Sequence, residues 1–360
     1  MHIPDGYLSP STCATLYAGA IVGWYAALKR LKRLLLNRVV PLISVFAAFA
    51  FVVMMFNLPL PGGTTGHAIG VTIAAIVLGP SGAILAISMA LAIQALFFGD
   101  GGITTLGANC FNMAIVGSLV AFGSYRLIAA GASIASKRRI MAAAVAGYLA
   151  MNAAALVAAV EFGIQPVLFH DATGTPLYAP YPFRIALPAM MIGHLTFAGL
   201  AEALISGGIV AYLQVADPSL LQSASGTSAA SDNPPASAGA PANSQRRLWL
   251  AVALLMLLTP VGILATGKAL SDWSPSAFAQ SGPSAQAAAA ANDPAFALPA
   301  GMQRLANLWA APFPAYAPAF VKSAAFGYLL SAMFGVGFLL SLSLLVKVCV
   351  ERRRVARHSP

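Results

Sequence analysis

The stretch from His67 to Phe98 reads HAIGVTIAAIVLGPSGAILAISMALAIQALFF and carries no Lys, Arg, Asp or Glu. A membrane-spanning helix needs about 20 apolar residues, and this stretch is long enough for more than one helix. The sequence Gly79-Pro80-Ser81-Gly82 interrupts it with residues that favour turns. The stretch therefore predicts two apolar helices, over 67–79 and 80–98, joined by a tight turn.

The whole chain has the composition of a membrane protein. Of its 360 residues, 59% are hydrophobic and only 8% are charged, and its mean hydropathy is +0.80. That charge is too sparse to cover a soluble protein of this length, which indicates an all-α polytopic membrane bundle. A scan for bilayer-spanning stretches predicts nine helices, over residues 11–28, 39–57, 67–79, 80–98, 109–130, 140–163, 185–213, 248–266 and 323–348.

The basic residues predict the orientation of the chain, because cytoplasmic loops collect Lys and Arg. If the N-terminus lies outside and the C-terminus lies in the cytoplasm, 16 of the 20 Lys and Arg residues fall on the cytoplasmic side. The four that remain outside are Arg184, Lys268, Arg304 and Lys322. Basic cytoplasmic loops thus account for the net charge of +10, and we expect no nucleic-acid partner.

A low-complexity segment divides the chain in two. Ala, Ser and Pro dominate residues 216–246, and this composition is typical of a disordered tether. The outer loop over 267–322 carries no recognisable chemistry. The sequence therefore predicts four regions, namely a seven-helix domain over 1–215, a cytoplasmic linker over 216–246, a two-helix domain over 247–350 and a basic cytoplasmic tail over 351–360.

The sequence lacks the signatures of an enzyme. The segment from Gly262 to Lys268 imitates a phosphate-binding loop, but Ala269 replaces the required Ser or Thr and no strand precedes it. We therefore expect that the chain is not an enzyme and has no ATPase site of its own. Transport driven by ATP would then require a separate ATPase.

The best candidate for a metal site is the N-terminal pair Met1-His2. The terminal amine, the His2 amide nitrogen once deprotonated and imidazole Nδ1 close a five-membered and a six-membered chelate ring, which leaves one in-plane position. His67 lies on the same predicted outer side and offers a fourth nitrogen. Four nitrogens in a plane suit Ni(II) or Cu(II), and Co(II) accepts them with another geometry. We expect Met1 to be the mature terminus, since the bulk of His2 hinders removal of the methionine.

Two further polar residues lie inside the seventh predicted helix. His194 and Glu202 are eight residues apart, so they lie near one helical face. Ionisable groups within a membrane are candidates for function, but hydrogen bonding between helices explains them equally well. Both interpretations stay open from the sequence.

Four segments together resemble a known family. They are Met1 to Gly6, Gly62 to His67, Gly99-Asp100-Gly101-Gly102 followed by Asn109 and Asn112, and His194 to Glu202. In this order and spacing they resemble the cobalt/nickel substrate-binding components of energy-coupling-factor transporters, over about residues 1–213. Residues 247–350 resemble the small two-helix accessory subunit of the same systems.

The resemblance implies a function and a set of partners. In the family, the metal takes three nitrogens from Met1 and His2 and a fourth from the position of His67. Loops that cover the metal and orient its ligands hold Asp100, Asn109 and Asn112. Co(II) or Ni(II) is the transported ion, with no further cofactor, and cobalt serves cobalamin synthesis. The implied partners are a membrane coupling subunit, cytoplasmic ATPase subunits and the lipid bilayer of a bacterial plasma membrane.

Two alternative functions remain open from the sequence. One is a gradient-driven cation transporter that acts alone, with Glu161, His194 and Glu202 as proton-relay groups. The other is a membrane assembly protein that binds no metal and uses its Gly-rich loops for packing. Neither explains a histidine directly behind a free terminus together with His67 on the same side.

Overall fold

The computed structural model describes residues 1–32, 39–56, 58–60, 64–222, 242–264, 299–306 and 308–358. The first half of the chain contains α1 (Pro10–Lys32), α2 (Val39–Met54), α3 (Val71–Ile93), α4 (Leu106–Asn109), α5 (Gly117–Ile128), α6 (Lys137–Leu168), α7 (Phe183–Gly193) and α8 (Gly199–Ala216). The second half contains α9 (Ala242–Leu258), α10 (Ala300–Ala306) and α11 (Ala324–His358).

Short elements connect these helices. A small antiparallel hairpin, β1 (Leu58–Leu60) and β2 (Thr64–Gly66), follows α2 and was not foreseen in the all-α prediction. The π-helical turns cover Gln94–Phe98, Cys110–Val116 and His194–Ala198, and the 3-10 turns cover Pro218–Leu221, Thr259–Leu264 and Pro314–Tyr316. The predicted predominance of helix is therefore confirmed for the described residues.

The described helices include six segments that are long and apolar enough to cross a membrane. These are Val71–Phe98, Leu106–Ile128, Lys137–Leu168, Phe183–Ala216, Arg246–Ile263 and Ala324–Leu345. Helix α2 is apolar but shorter, and α1 is long but less apolar. The chain is thus a multi-pass membrane protein, while the count of seven plus two helices and the orientation of the termini stay predictions.

The segment Val71–Phe98 turns back on itself at Gly79. Its two ends meet at one place, because the His67 ring lies 4.8 Å from the His2 ring and Nδ1 of His2 lies 2.7 Å from Oδ1 of Asp100. A straight helix of 28 residues would separate those ends by about 42 Å. Gly79 leaves the helical region, with φ 74° and ψ 168°, and Pro80 follows it. The reversal therefore lies where the sequence predicts the turn.

Helices α6 and α8 pack closely through small side chains. The buried face of α6 consists largely of alanines, and a Cβ at Gly147 would lie only 3.0 Å from the carbonyl oxygen of Glu202. Close backbone approach is usual between membrane helices, because lipid provides no hydrophobic drive for their association. Both helices of the pair also contact α3.

The second half of the chain packs on the first. Gly335 of α11 lies directly against the ring of Phe51 on α2, so that no side chain separates the two helices there. The predicted linker falls mostly outside the described residues. On its two sides, Leu221 is buried in a 3-10 turn and α9 begins at Ala242. Of the predicted outer loop, the structure describes residues 299–306 and 308–322.

Candidate metal site

The N-terminal arm is held inside the protein by the loop that follows Gly99. The Ile3 amide donates to Oδ1 of Asn109 (2.8 Å), and the Ile3 carbonyl accepts from Nδ2 of the same side chain (3.1 Å). The carbonyl also accepts from the Gly102 amide (2.9 Å) and the Thr105 hydroxyl (2.5 Å). Ile3 is fully buried. Asn109 thus fixes both polar groups of the Ile3 backbone, one residue after His2.

Asp5 provides a second attachment of the same arm. Its carboxylate accepts from the amides of Ile103 (3.0 Å) and Thr104 (2.7 Å), and also from the Thr104 hydroxyl. Hydrogen bonds to a carboxylate are stronger than those between neutral groups. The arm and the loop over 99–109 therefore form one unit around Met1 and His2.

His2 and His67 face each other inside this unit. Their ring centroids are 4.8 Å apart, their planes meet at 77°, and both residues are more than nine-tenths buried. Nδ1 of His67 lies 3.0 Å from the Ala68 carbonyl oxygen, which only accepts, so Nδ1 carries the proton. Nε2 of His67 consequently keeps its lone pair. A second ring nitrogen bonded to a backbone carbonyl is the usual arrangement in a metal-binding histidine.

Burial removes protons from two of the candidate ligands. It lowers the pKa of the Met1 amine to about 6, although the charge of Asp100 acts in the opposite direction. Burial also lowers the pKa of His67 well below its ordinary value, with further contributions from the charges of His2 and the terminal amine. Both nitrogens are therefore unprotonated at neutral pH and free to donate a lone pair.

Asp100 lies between His2 and a pair of polar side chains, Tyr316 and Gln94. Oδ1 is 2.7 Å from Nδ1 of His2, and Oδ2 accepts from the Tyr316 hydroxyl (2.7 Å) and, at 3.5 Å, from Nε2 of Gln94. Burial would raise the pKa of Asp100, but the charges of His2 and His67 and these hydrogen bonds outweigh it and keep the pKa below its usual value. A metal bound by Nδ1 of His2 would have to displace the contact with Asp100.

The remaining predicted site residues pair with other groups. Nδ2 of Asn112 donates to Oε2 of Glu161 (2.8 Å), and Nδ1 of His194 donates to the Met190 carbonyl (2.7 Å). Nε2 of His194 is buried and has no hydrogen-bond partner among the described residues. Glu202 accepts from backbone amides directly after His67. The structure thus brings Met1, His2, His67, Asp100 and Asn109 together, and links Glu202 to the His67 backbone.

The donor set excludes an ordinary side-chain metal site. Among the described residues, no group of three or more His, Cys, Asp or Glu side chains has the geometry to hold a metal ion. Two imidazoles are close together, and further nitrogens have to come from the terminal amine and the backbone. Asp5, Thr105 and Tyr316 were missed by the sequence reasoning, because their roles depend on contacts about 100 or more residues away.

Comparison with known proteins shows which family the chain belongs to. The family model of the cobalt uptake substrate-specific transmembrane region, CbiM, matches residues 2–220. The chain belongs to the CbiM family. The resemblance recognised in the sequence is therefore confirmed, and the chain is a metal transport protein of the membrane.

Two relatives of this CbiM-family chain are named as fused nickel transport proteins. The chain is 51% identical over 345 residues to the fused nickel transport protein NikMN of Rhodobacter capsulatus, and the match covers 95% of each chain. It is 40% identical over 279 residues to the probable fused nickel transport protein LarMN of Lactiplantibacillus plantarum, covering 76% of this chain and 78% of the relative. The crystal structure of a truncated transition metal transporter is 51% identical with a TM-score of 0.56, covering 59% of this chain and 98% of that one.

Proposed function

We propose that this chain captures Ni(II) or Co(II) at its outer face, with the Met1 amine, the His2 amide nitrogen, Nδ1 of His2 and Nε2 of His67 as ligands. The observation that carries the proposal is the buried His2–His67 pair beside a terminal amine that burial keeps unprotonated. Four nitrogens of this kind suit Ni(II) in a plane, and Co(II) accepts them with another geometry. Asn109 orients the backbone beside His2, and Asp100 covers the site after the metal displaces its contact with Nδ1 of His2. Asn112 binds Glu161 on α6.

The chain then acts as the metal-capturing membrane subunit of an ATP-driven energy-coupling-factor transporter. Its core (1–215) and its accessory domain (247–350) work with a membrane coupling subunit and cytoplasmic ATPase subunits, which supply the ATP site that the sequence lacks. The relatives named as nickel transport proteins support uptake of nickel, and the family description supports cobalt, which would serve cobalamin synthesis.

Three histidine variants test the ligand set. We expect His2→Leu, whose bulk still hinders removal of Met1, and His67→Ala to weaken Ni(II) binding by about a hundredfold or more, since each removes a donor from a chelate. His170→Ala is the matched control, because His170 is an exposed histidine. Isothermal titration of the full chain in detergent, with its native N-terminus, measures the affinities. Equal affinity in all three variants would rule out the proposed ligands.

The energy source is tested by reconstitution. We expect the chain alone in proteoliposomes to take up no Ni(II) under a proton or sodium gradient, and to do so with coupling and ATPase subunits only when ATP is supplied. Uptake by the chain alone that follows the gradient would support the self-sufficient transporter instead. Glu161→Gln and Glu202→Gln would then be expected to abolish it.

A further inference from the structure

The backbone that follows His67 is bound by a carboxylate from a distant helix. Glu202 lies on α8 and is fully buried. Its Oε2 accepts from the amides of Ile69 and Gly70, both at 2.8 Å, and its Oε1 faces the amide of Thr72 at 3.4 Å. The first of these amides is only two residues beyond His67. One side chain thus binds three backbone amides within four residues at the entrance to α3.

Helix α3 needs this partner because it has no cap of its own. The first amides of a helix lack intrahelical acceptors, and a neighbouring side chain usually supplies one. The position before α3 is occupied by Gly70, with φ 72°, and a Cβ there would lie 2.6 Å from the ring of Phe49. Glycine has no side chain with which to cap the helix. A carboxylate is well suited to the task, since the N-terminus of a helix carries partial positive charge.

We propose that Glu202 is the positioning residue for His67 as a metal ligand. The inference rests on the proposed function and adds a residue that does not itself touch the metal. The His67 ring is bound to its own backbone through Nδ1 and the Ala68 carbonyl. The direction of Nε2 therefore follows the position of the backbone over 67–70. Glu202 fixes that backbone at Ile69 and Gly70.

The two parts of the metal site are consequently positioned by different elements. Asn109 and the loop over 99–109 hold the N-terminal arm. The α6–α8 pair holds His67 through Glu202, whose backbone is packed against Gly147. Any shift of α8 relative to α3 would move the fourth ligand and leave the first three in place. Glu202 thereby connects α8 to the backbone that carries the proposed ligand His67.

Two variants of Glu202 with a matched control test the inference. We expect Glu202→Leu to weaken Ni(II) binding to the full chain in detergent by about 10- to 100-fold, the usual effect of losing a partner behind the ligands. Glu202→Gln should lose less, because its amide keeps one acceptor oxygen. Ser206→Ala removes another buried polar group one turn further along α8, and should bind like the parent chain. The visible absorption of bound Ni(II) in Glu202→Leu should shift as it does in His67→Ala.

A double-mutant cycle separates positioning from general damage. If Glu202 acts through His67, the chain carrying both His67→Ala and Glu202→Leu should bind Ni(II) no more weakly than His67→Ala alone. Additive losses, or parent-like affinity in Glu202→Leu, would overturn the inference. If Glu202→Leu does not fold, as judged by size exclusion and thermal unfolding, Glu202→Gln carries the same cycle.

The controls distinguish this inference from the proposed function. If the parent chain binds no Ni(II), both fail together. If the parent binds and His67→Ala is unchanged, His67 is not a ligand and the inference falls with that part of the site. If His67→Ala is weakened while both Glu202 variants match the parent, the metal site stands and Glu202 has no positioning role.

Discussion

The Nε2 atoms of His2 and His67 differ from most buried polar atoms, which have hydrogen-bond partners. Nε2 of His2 has no hydrogen-bond partner among the described residues, and Nε2 of His67 keeps its lone pair because Nδ1 carries the proton. Leaving a buried polar atom unpaired costs about 1–3 kcal/mol. Nε2 of His67 is a proposed ligand and Nε2 of His2 is not, so a bound metal would use only one of these two nitrogens.

The protons on these nitrogens predict how metal capture depends on pH. Above about pH 6 the Met1 amine is unprotonated, and binding has to displace the His2 amide proton, so affinity should rise about tenfold per pH unit. Below pH 6 the amine also holds a proton that the metal must displace, and the dependence should steepen. Ni(II) titrations between about pH 5 and 8, with proton release measured in parallel, test this. An affinity that stays constant across the range would contradict the terminal chelate.

Some residues of the candidate site could be predicted from the sequence, and others could not. Covalent geometry suggested Met1 and His2 as a chelating pair, and His67 could be chosen because the predicted outer side offers few imidazoles; the structure places the two histidine rings 4.8 Å apart, and the chelate stays a prediction. The role of Asn109 came from the resemblance. Glu202 stood out only as a polar residue in a membrane helix, because its partners are backbone amides about 130 residues away. Backbone donors leave no signal in a sequence.

At the scale of elements, the reversal at Gly79 decides where His67 lies. The backbone of Gly79 has φ 74° and ψ 168°, a region that is essentially closed to residues with a Cβ. Without the reversal, His67 and Asp100 would lie at opposite ends of a 28-residue helix. The proposed metal site therefore depends on the turn at Gly79, inside α3.

A pair of glycine variants tests this turn. We expect Gly79→Ala to destabilise the protein by about 1–3 kcal/mol, since the new side chain meets no atom within 4 Å and the cost comes from backbone conformation alone. Gly208→Ala on α8 also meets no atom within 4 Å, but it lies in an ordinary helix and should stabilise by about 0.4–1 kcal/mol. Thermal unfolding in detergent compares the two. Equal behaviour of both variants would contradict the strained turn.

Apolar stretches predicted where the helices lie, but they did not predict the internal geometry of those helices. Every predicted span overlaps a described helix, because lipid requires long apolar stretches and internal hydrogen bonds. The π-helical turns at Gln94–Phe98, Cys110–Val116 and His194–Ala198 could not be predicted, since one inserted residue leaves hydropathy unchanged. Such turns are frequent at functional sites. Here the first lies just before Asp100, and the other two contain Asn112 and His194.

At the scale of the whole molecule, the accessory half reaches the metal site. The sequence showed no chemistry in the outer loop, yet the Tyr316 hydroxyl binds Asp100 and its ring stacks on Phe98 at 4.7 Å. Ala315 and Tyr316 have φ values of 52° and 59°, which are uncommon for residues other than glycine. Strained backbone persists where surrounding contacts determine it. Tyr316 is one of several aromatic residues in an Ala- and Pro-rich loop, so the sequence gave no signal of such a contact.

Tyr316→Phe tests whether this contact retains the metal. Burial raises the pKa of Tyr316 well above its ordinary value, so its hydroxyl keeps its proton and donates to Asp100. A hydrogen bond to a charged group contributes about 1.5–3 kcal/mol, and losing it loosens both Asp100 and the loop above His2. We expect Ni(II) to leave the variant about tenfold faster or more when a chelator is added. The remaining ring keeps its packing on Phe98, so unfolding temperature should change little.

Tyr25→Phe is the matched control for this measurement, because Tyr25 lies on α1 and is 65% exposed. Its release rate should equal that of the parent chain. If Tyr316→Phe also releases Ni(II) at the parent rate, the accessory half covers the site without restraining the ion. A faster release in Tyr316→Phe alone would mean that the fused half sets the residence time of the metal through the hydrogen bond from Tyr316 to Asp100.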